Sequence, residues 1–381
     1  MKHLLFDQVD SWFFRESRSM DGAGSTALNS LFPPPQNTLL GAIRTYIGDV
    51  FNAEHGTNWQ EFKDNHALQN IIGFANDYAN LKVQGAWLFN KATEEIYFPC
   101  PMNLLKQGEE ETNFFQIGAP VYCDLGCVKL PQLDREKSQS PLEDMYISGR
   151  DYSAVLQGKT VPLNHLKARK AIITADERLG IARDNSRRKT EEGKLYQTNH
   201  LRLQQDWGLY LGLTGLAENV FKPHQLLRLG GEGRMTELSL LEKAPLLPQK
   251  VSKRENTKNL VIYLATNLPD HKRQKDTPML PNESFKAVEE NGITTWQGCI
   301  LGKPIKIISA ISAKPIRIGG WDMVKHKSLP VRSFIPAGSC WYIETEDAES
   351  IIETLHGEFL TQDNDRVLGY GQIFVGIAPT H

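Results

Sequence analysis

Several features of common protein classes are missing from this sequence. Its 381 residues contain no apolar run long enough to span a bilayer. The N-terminus MKHLLFDQVDSWFF starts basic, but it soon carries Asp7 and Asp10 and has no small-residue cleavage site, so no signal peptide is expected. These absences favour a cytoplasmic protein that does not bind a membrane. The length of the chain suits two domains.

Cysteine is scarce, and its spacing fits neither a disulfide framework nor a metal site. The five cysteines are an odd number, and only Cys123 and Cys127 lie close together, four residues apart. No second pair follows at a spacing that zinc would need. Reduced structural thiols are the expectation, with no metal and no cofactor.

Catalytic motifs are also missing. The sequence has no Gly-Lys-Ser/Thr after a glycine loop, no GxSxG and no HExxH. A ribonuclease that cuts by 2′-hydroxyl attack needs a general acid and a general base near basic groups. His200, His224 and His326 are the candidates, and each can equally be an ordinary surface or buried histidine. No catalytic residue is predicted.

Charge is present but segregated. The net charge of -2 argues against a generally basic coat. Residues 166–194 hold nine Lys/Arg against five Asp/Glu, residues 303–332 hold seven against one, and residues 338–365 hold eight acids and no Lys or Arg. One surface can therefore bind a polyanion while the total stays near zero. The alternative is a set of ordinary solvated faces.

Strand patterns open two similar stretches, at 3–14 and 259–268. The polar segment 249–258 before the second is the candidate linker, which predicts domains 1–248 and 259–381. Helix, glycine cluster and strand then follow in order twice: 215–227 before Gly230, and 347–359, capped by Asp347, before Gly369. This order predicts an α+β chain of two ferredoxin-like (RNA-recognition-motif-like) domains, with insertions at about 80–205 in the first. Two predicted hairpins lie there, at 85–105 and 177–203.

One further helix is predicted after three prolines, capped by Asn37 or Thr38. Leu39, Ile43, Tyr46, Ile47 and Val50 form its apolar face. Gly41, Thr45 and Gly48 lie opposite, with Arg44 at the edge. Because glycine inside a helix costs about 1 kcal/mol against alanine, this small face suggests a close approach by a protein or RNA backbone. The alternative is a bare solvent face.

Basic, glycine-rich and aromatic residues together point to single-stranded RNA. Glycine clusters can turn backbone N–H groups toward phosphate, arginine can fork onto phosphate, and an aromatic ring can stack on an unpaired base. Ordinary tight turns, charged surface hairpins and, for Trp321, a buried position in the core are the alternatives. The candidate residues by segment are Arg178, Arg183, Arg187, Arg188, Lys194 and Tyr196 in the basic hairpin; Gly230, Gly231 and Gly233; Lys314, Arg317 and Trp321; and Gly369, Tyr370 and Gly371.

Several stretches in order then resemble one known family. Phe13-Phe14-Arg15, a small-residue loop at 22–25, Phe-Pro-Pro-Pro at 32–35 and the helix start at 38–44 are similar to the N-terminal signature of the third Cmr subunit of type III-B CRISPR effector complexes. That family belongs to the repeat-associated mysterious protein superfamily. Further similar stretches are YFPCPMNLL (97–105, with Asn103 where Asp is usual), ERLGIARDNSRRKTEEGKLY (177–196), LGGEGR (229–234), IGGWD (318–322), IPAGSCWYIE (335–344) and GYGQIFVG (369–376).

The resemblance implies a non-catalytic subunit that binds the 5′ repeat-derived tag of the CRISPR RNA. It implies contacts with the large polymerase-like subunit and with the backbone subunit. It adds Arg15, Arg18, Arg44 and Arg234 to the predicted RNA-binding residues. A metal-independent endoribonuclease that processes precursor CRISPR RNA is the alternative, because one fold can host both functions.

Overall fold

The computed structural model describes residues 1–16, 27–134, 137–184, 189–216, 220–222, 224–252, 257–270, 279–322 and 327–379, with backbone only at 27, 181–184, 189–196, 321 and 322. The chain forms two compact units. The first comprises 1–94, 170–244 and 317–332; the second comprises 95–169, 245–316 and 333–381. The predicted insertion is thus divided, since 95–169 belongs to the second unit. The domain boundaries 1–248 and 259–381 stay a prediction.

Strands dominate the described residues. Up to residue 169 they are β1 (Lys2–Gln8), β2 (Ala27–Leu28), β3 (Lys82–Asn90), β4 (Glu95–Pro99), β5 (Leu104–Gln107), β6 (Glu111–Phe114), β7 (Gln116–Cys123), β8 (Gly126–Gln132), β9 (Gln139–Pro141), β10 (Met145–Ser148) and β11 (Lys167–Ala168). The remainder are β12 (Ile173–Asp184), β13 (Lys189–Leu203), β14 (Trp207–Thr214), β15 (Gln225–Arg228), β16 (Met235–Leu240), β17 (Asn259–Leu264), β18 (Leu268–Pro269), β19 (Lys286–Glu290), β20 (Ile293–Ile300), β21 (Lys303–Ile311), β22 (Ile316–Asp322), β23 (Lys327–Ile335), β24 (Cys340–Glu344) and β25 (Ile373–Ile377).

Helices are fewer and mostly short. They are α1 (Gln36–His55), α2 (His66–Ile72), α3 (Gly149–Leu156), α4 (Arg169–Ile172), α5 (Ala348–Leu355) and α6 (Asp363–Val367), with single 3-10 turns at Trp59–Glu61 and Leu163–His165. Across the described residues, none of these helices combines the length and the apolar character that a membrane crossing requires.

The first unit is built on neighbouring antiparallel strands in the order β3-β14-β1-β16-β15. Alternate residues of the central strand β1, Leu4 and Phe6, are completely buried. Helix α1 packs against β3 and β15 and contributes Leu39, Ile43 and Ile47 to the same core. The predicted apolar face of this helix is confirmed at these positions.

The start and the small face of α1 differ from expectation. The predicted cap at Asn37 or Thr38 is wrong, since Pro35 occupies the cap position and no side chain caps the helix. Gly48 leaves room for the ring of Trp59, which a Cβ atom would overlap at 2.3 Å, whereas Gly41 faces open space. A side chain of this protein therefore fills the close approach at Gly48.

The second unit contains a six-stranded sheet, in the order β19-β20-β21-β24-β17-β25. The predicted helix α5 is confirmed with its cap, because the Ser350 N–H donates to the Asp347 carboxylate at 3.1 Å. Its residues Ile351, Ile352 and Leu355 are buried. Aromatic rings pack edge to face in this core, at 5.7 Å between Tyr152 and Phe374 and at 6.0 Å between Tyr152 and Tyr263.

Of the other predicted elements, the strand patterns at 3–14 and 259–268 are present as the shorter strands β1 and β17, which end at Gln8 and Leu264. The hairpin at 177–203 is present as β12 and β13, which pair from Ile173↔Leu203 outward, and 85–105 contains β3 and β4. The end of the predicted helix 215–227 is wrong, since Gln225–Arg228 is a strand that pairs with β16. Leu227 is buried there whereas Leu226 is 63% exposed. The alternation is typical of a sheet edge.

Candidate nucleic-acid interface

Three short pieces of the first unit meet beside its sheet: residues 10–14 after β1, the root of the β12–β13 hairpin, and the glycine loop 229–234. Trp12 and Leu201 exchange backbone hydrogen bonds of 2.9 and 2.8 Å, which fix residues 10–14 along β13. The Gly231 N–H donates to the Phe13 carbonyl at 2.7 Å. We call the charged side chains that converge here the arginine cluster: Asp10, Asp176, Arg178, Arg202, Glu232 and Arg234.

Gly230 makes the approach of the glycine loop possible. Its φ of 88° lies in the left-handed region, and a Cβ atom there would lie 2.5 Å from the Phe13 carbonyl oxygen. Both features require glycine. Gly231 also has a Cβ position only 3.0 Å from the Phe13 ring, whereas Gly233, with φ of 65°, faces open space. This loop therefore closes tightly on residues 10–14 and leaves its tip in solvent.

Asp10 is the centre of the arginine cluster. Its carboxylate accepts hydrogen bonds from Arg178 at 3.3 Å, Arg202 at 3.1 Å and Arg234 at 2.9 Å. These guanidiniums come from β12, β13 and the glycine loop, so one carboxylate joins all three elements. Half of the Asp10 side chain, 49%, remains exposed.

Two further carboxylates complete the arginine cluster. Asp176 accepts from Arg178 at 2.8 Å and from Arg202 at 3.0 Å, and Glu232 lies 3.4 Å from Arg234. Desolvation raises the pKa of Asp10, but the hydrogen bond from Arg178 and the three positive charges outweigh it and lower that pKa. The hydrogen bonds from Arg178 and Arg202 lower the pKa of Asp176 as well. Both aspartates are ionised at neutral pH. Together with Glu232, they set three carboxylates against the three guanidiniums of the cluster.

His200 lies beneath this surface rather than on it. Its side chain is completely buried, stacks on Phe13 at 4.9 Å and shares a 3.2 Å hydrogen bond with the Ser11 hydroxyl through Nδ1. Its Nε2 is 3.1 Å from a Glu232 oxygen, without hydrogen-bond geometry. Desolvation, and then the charge of Arg234, lowers the pKa of His200. The ring is therefore neutral at pH 7.

Several predicted RNA-binding residues come together here. Arg178, Arg234 and the glycines 230, 231 and 233 belong to this surface, and Arg15 is exposed one residue beyond the Phe13-Phe14 pair. Arg183, Lys194 and Tyr196 lie on the outer part of the same hairpin, with only their backbone described. Arg18, Arg187 and Arg188 lie outside the described residues. Lys314 and Arg317 are exposed around the start of β22, and only the backbone of Trp321 is described, in that strand.

Arg44 has a structural environment elsewhere in the first unit. It donates to the carbonyls of Gly73, Ala75 and Asp77 at 3.0 to 3.4 Å and lies 5.2 Å from the centre of the Tyr78 ring. Desolvation lowers its pKa despite the opposing effects of Tyr78 and Asp77. This arginine holds the turn after α2.

The second glycine loop is a core feature of the second unit. Gly369 and Gly371 have φ of 73° and 74°, and the Tyr370 side chain between them is 3% exposed, with its ring 4.9 Å from that of Phe334. The Gly371 N–H donates to the Asn267 carbonyl at 2.9 Å. The ring therefore packs in the core and this N–H has a backbone partner, while Gly369, Tyr370 and Gly371 stay predicted RNA-binding residues.

The sequence-based prediction missed the members of the arginine cluster that have no basic run around them. Arg202 lies at the foot of β13, and Asp10 and Asp176 were not considered as partners. A signal for Asp176 exists in its position two residues before Arg178, since i and i+2 share one face of a strand. Asp10 gives no local signal, because its partners are more than 160 residues away. Among the described residues, no group of acidic, histidine or cysteine side chains is arranged to hold a metal ion.

Comparisons with known proteins complete the description of this chain. The family described as CRISPR-associated protein (Cas_Cmr3) matches residues 6–378. No curated protein matches. Among solved structures, a chain of the "Type III-B Cmr-beta bound to cognate target RNA" is 16% identical with a TM-score of 0.52, covering 98% of this chain and 96% of that one.

Two further solved structures are more distant. A chain of the same kind of complex with AMPPnP is 15% identical with a TM-score of 0.46, covering 90% of this chain and 86% of that one. A chain of the "Csm3-Csm4 subcomplex in the type III-A CRISPR-Cas interference complex" is 12% identical with a TM-score of 0.40, covering 99% of both. The match of the family model across nearly the whole sequence decides the assignment: this chain belongs to the CRISPR-associated protein (Cas_Cmr3) family.

Proposed function

We propose that this chain is a non-catalytic subunit of a type III-B CRISPR effector complex that binds the 5′ repeat-derived tag of the CRISPR RNA through the arginine cluster. One observation carries the proposal: three guanidiniums from separate elements converge at one half-exposed point of the first unit. Arginine is suited to such a place, because its planar fork matches the oxygens of a phosphate.

The arginine cluster keeps donors for an incoming phosphate. Arg178 and Arg202 make their side-chain hydrogen bonds through Nη2 alone. Their Nη1 and Nε groups have no partner within the described part of the chain, and Arg202 is 49% exposed. These free donors can approach a phosphodiester, while the Nη2 donors are shared with Asp10 and Asp176. Arg15 and the exposed tip of the glycine loop extend this surface.

The absence of catalysis is supported by the state of the histidines. His200, the only candidate next to the arginine cluster, has a completely buried ring and cannot touch a ribose hydroxyl in this conformation. His224 is exposed but pairs with Glu237 on the edge of the sheet. His326 lies outside the described residues. Of the two described candidates, neither is placed as a general acid or base on the exposed surface of the arginine cluster.

A ferredoxin-like arrangement of both units is part of the proposal. In the first unit β1 and β3 flank the antiparallel β14 and are connected through α1, which is a split β-α-β unit. In the second unit β17 and β21 flank β24, and β25 joins on the other side of β17 after α5. Between β17 and β21, the described residues form strands and turns and contain no helix.

The proposed assembly contains RNA and other subunits. Related folds occur in Cmr and Csm complexes, one of them bound to target RNA. We propose the large polymerase-like subunit and the backbone subunit as neighbours, in a cytoplasmic complex. The residues at 183–196, Lys314, Arg317 and Trp321 remain predicted contacts with RNA or with these subunits.

The test is binding of the purified chain to 5′-tag RNA and to a scrambled RNA of equal length across a salt series. Arg202→Ala should weaken binding of the tag RNA and reduce the slope of log affinity against log salt by about 0.7, the value for one phosphate contact of a single strand. Arg150→Ala is the matched control, because Arg150 is an exposed arginine of the second unit with a single partner, Glu95. Equal slopes for the two variants would refute a role of the arginine cluster in RNA binding.

A further inference from the structure

The arginine cluster holds more negative charge than an RNA-binding surface needs. Asp10, Asp176 and Glu232 bring its net charge to zero, since His200 is neutral. Phosphate is an anion, so these carboxylates repel the ligand that the arginines attract. Their presence requires a reason beyond RNA affinity.

Packing alone does not supply that reason for Asp10. The contacts of Asp10 do not enclose it, since half of its side chain faces solvent and can be reached by a competing anion. Its two oxygens lie at the point toward which all three guanidiniums are directed, at 2.9 to 3.3 Å. A phosphodiester likewise presents two anionic oxygens to arginine. Asp10 therefore occupies the position at which a phosphate would make the largest number of charged contacts.

We infer that Asp10 is an internal competitor of phosphate that suppresses sequence-independent binding of RNA to the arginine cluster. The inference rests on the proposed RNA-binding function. An RNA of arbitrary sequence is attracted by its phosphates alone. It must compete for the guanidiniums with the Asp10 carboxylate, which is part of the chain and always present. The cognate tag has additional contacts with its bases, and these can compensate for the competition. Asp10 thus lowers affinity and raises specificity, which is a difference between two affinities.

Asp176 supports the same effect more weakly. It binds Arg178 and Arg202 but not Arg234, and it is less exposed than Asp10, at 28%. Removing its charge should leave Arg178 and Arg202 with Asp10 as their remaining acidic partner in the cluster. The two aspartates therefore provide a graded pair of substitutions at one site.

The test compares Asp10→Asn, Asp176→Asn and the wild-type full-length chain with tag RNA and with scrambled RNA in a salt series. Asp10→Asn keeps the size of the side chain and leaves the cluster with one net positive charge. For scrambled RNA, we expect tighter binding at low salt and one additional phosphate contact, so affinity should fall about threefold more between 50 and 200 mM salt. The preference for tag RNA should shrink. Asp176→Asn should act in the same direction with a smaller effect.

Controls separate the possible failures. Glu95 pairs with Arg150 in the second unit, and Glu95→Gln removes one negative charge, as Asp10→Asn does. This control should leave the affinities for tag RNA and for scrambled RNA unchanged. If Arg202→Ala weakens RNA binding but neither aspartate variant binds scrambled RNA more tightly, the inference is wrong and the proposed function stands. If Arg202→Ala has no effect, the proposed function fails and the inference fails with it. Thermal melting of each variant shows whether it folds. If one aspartate variant does not fold, binding of scrambled RNA by the other aspartate variant tests the inference.

Discussion

The two glycine loops share a sequence pattern and differ in what they do. The loop at 229–234 exposes its tip, carries Glu232 and Arg234, and closes on residues 10–14. The loop at 368–372 is buried throughout and inserts Tyr370 into the core of the second unit. The difference shows that glycine here marks a required backbone conformation, whereas the side chains between the glycines differ in whether they face solvent or fill the interior.

The largest expected effect is on the buried loop. Tyr370→Ala removes a core ring beside Phe334 and should lower the free energy of unfolding by about 3 to 5 kcal/mol. Urea denaturation followed by tryptophan fluorescence measures this change. Tyr122→Ala is the control, since Tyr122 is 87% exposed and its removal should change stability by about 0.5 kcal/mol or less. Similar values for the two variants would contradict the burial of Tyr370.

The exposed loop should be sensitive at one glycine and tolerant at another. Gly230→Ala places a Cβ atom on a residue with left-handed backbone, which should lower the free energy of unfolding by about 1 to 2 kcal/mol. The overlap of this Cβ atom with the Phe13 carbonyl should lower it by about 1 to 3 kcal/mol more. Gly233→Ala meets open space and should cost only the first of these. The same denaturation experiment compares them. If Gly233→Ala is the more damaging, the contact between Gly230 and Phe13 is not the reason for glycine in this loop.

RNA affinity should distinguish the arginines that accompany the two loops. Arg234→Ala should weaken RNA binding about threefold at moderate salt, because one phosphate contact is lost. Arg366, just before the second loop, lies over the Phe359 ring at 3.5 Å from its centre, and Arg366→Ala should leave RNA binding unchanged. Filter binding or fluorescence anisotropy measures both. A loss with Arg366→Ala equal to that with Arg234→Ala would remove the functional difference between the loops.

The smallest effect expected is a dependence on acid at Asp10, which accepts a hydrogen bond from Arg234 of the exposed loop. The pKa of Asp10 is lower in the folded chain than its ordinary value of 3.8, so its stabilisation is present above that value and is lost as pH falls through the folded pKa. The melting temperature of the wild type should therefore exceed that of Asp10→Asn near pH 6, and the gap should close below about pH 4. The gap between wild type and Tyr370→Ala should stay constant over the same range. A constant gap for Asp10→Asn would show that its charge does not stabilise the fold.

Local patterns predicted the elements of this chain better than they predicted the site. The helix at 348–355 and its Asp347 cap follow from apolar spacing and one capping residue, both of which are local. The strand at Gln225–Arg228 replaced a predicted helix because pairing with β16 overrides a short and ambiguous pattern. Gly48 gave a correct signal of close approach, but the sequence could not identify Trp59 as the group that approaches.

The arginine cluster was predicted only in part for a related reason. Arg178 was found because basic residues surround it in the sequence, and Arg234 was added by the resemblance to the family. Arg202 and Asp10 depend on contacts between residues 10, 176–178, 202 and 232–234, which become neighbours only after folding. Conversely, Tyr370 looked like a stacking residue beside glycine, and its burial against Phe334 follows from a partner 36 positions away.

Asp10 also has a geometrical consequence for the basic hairpin. It connects Arg178 and Arg202, which lie on the two strands of the hairpin near its root, to residues fixed on the sheet. From Arg178 to the end of β12 at Asp184 the strand extends for about 20 Å at about 3.4 Å per residue. A small rotation of the hairpin at its root therefore moves its outer end. With a strand length of about 20 Å, a tilt of about 5° displaces Asp184 by about 2 Å. The contacts of about 3 Å that Asp10 makes at the root of the hairpin therefore influence where the outer backbone of the hairpin lies.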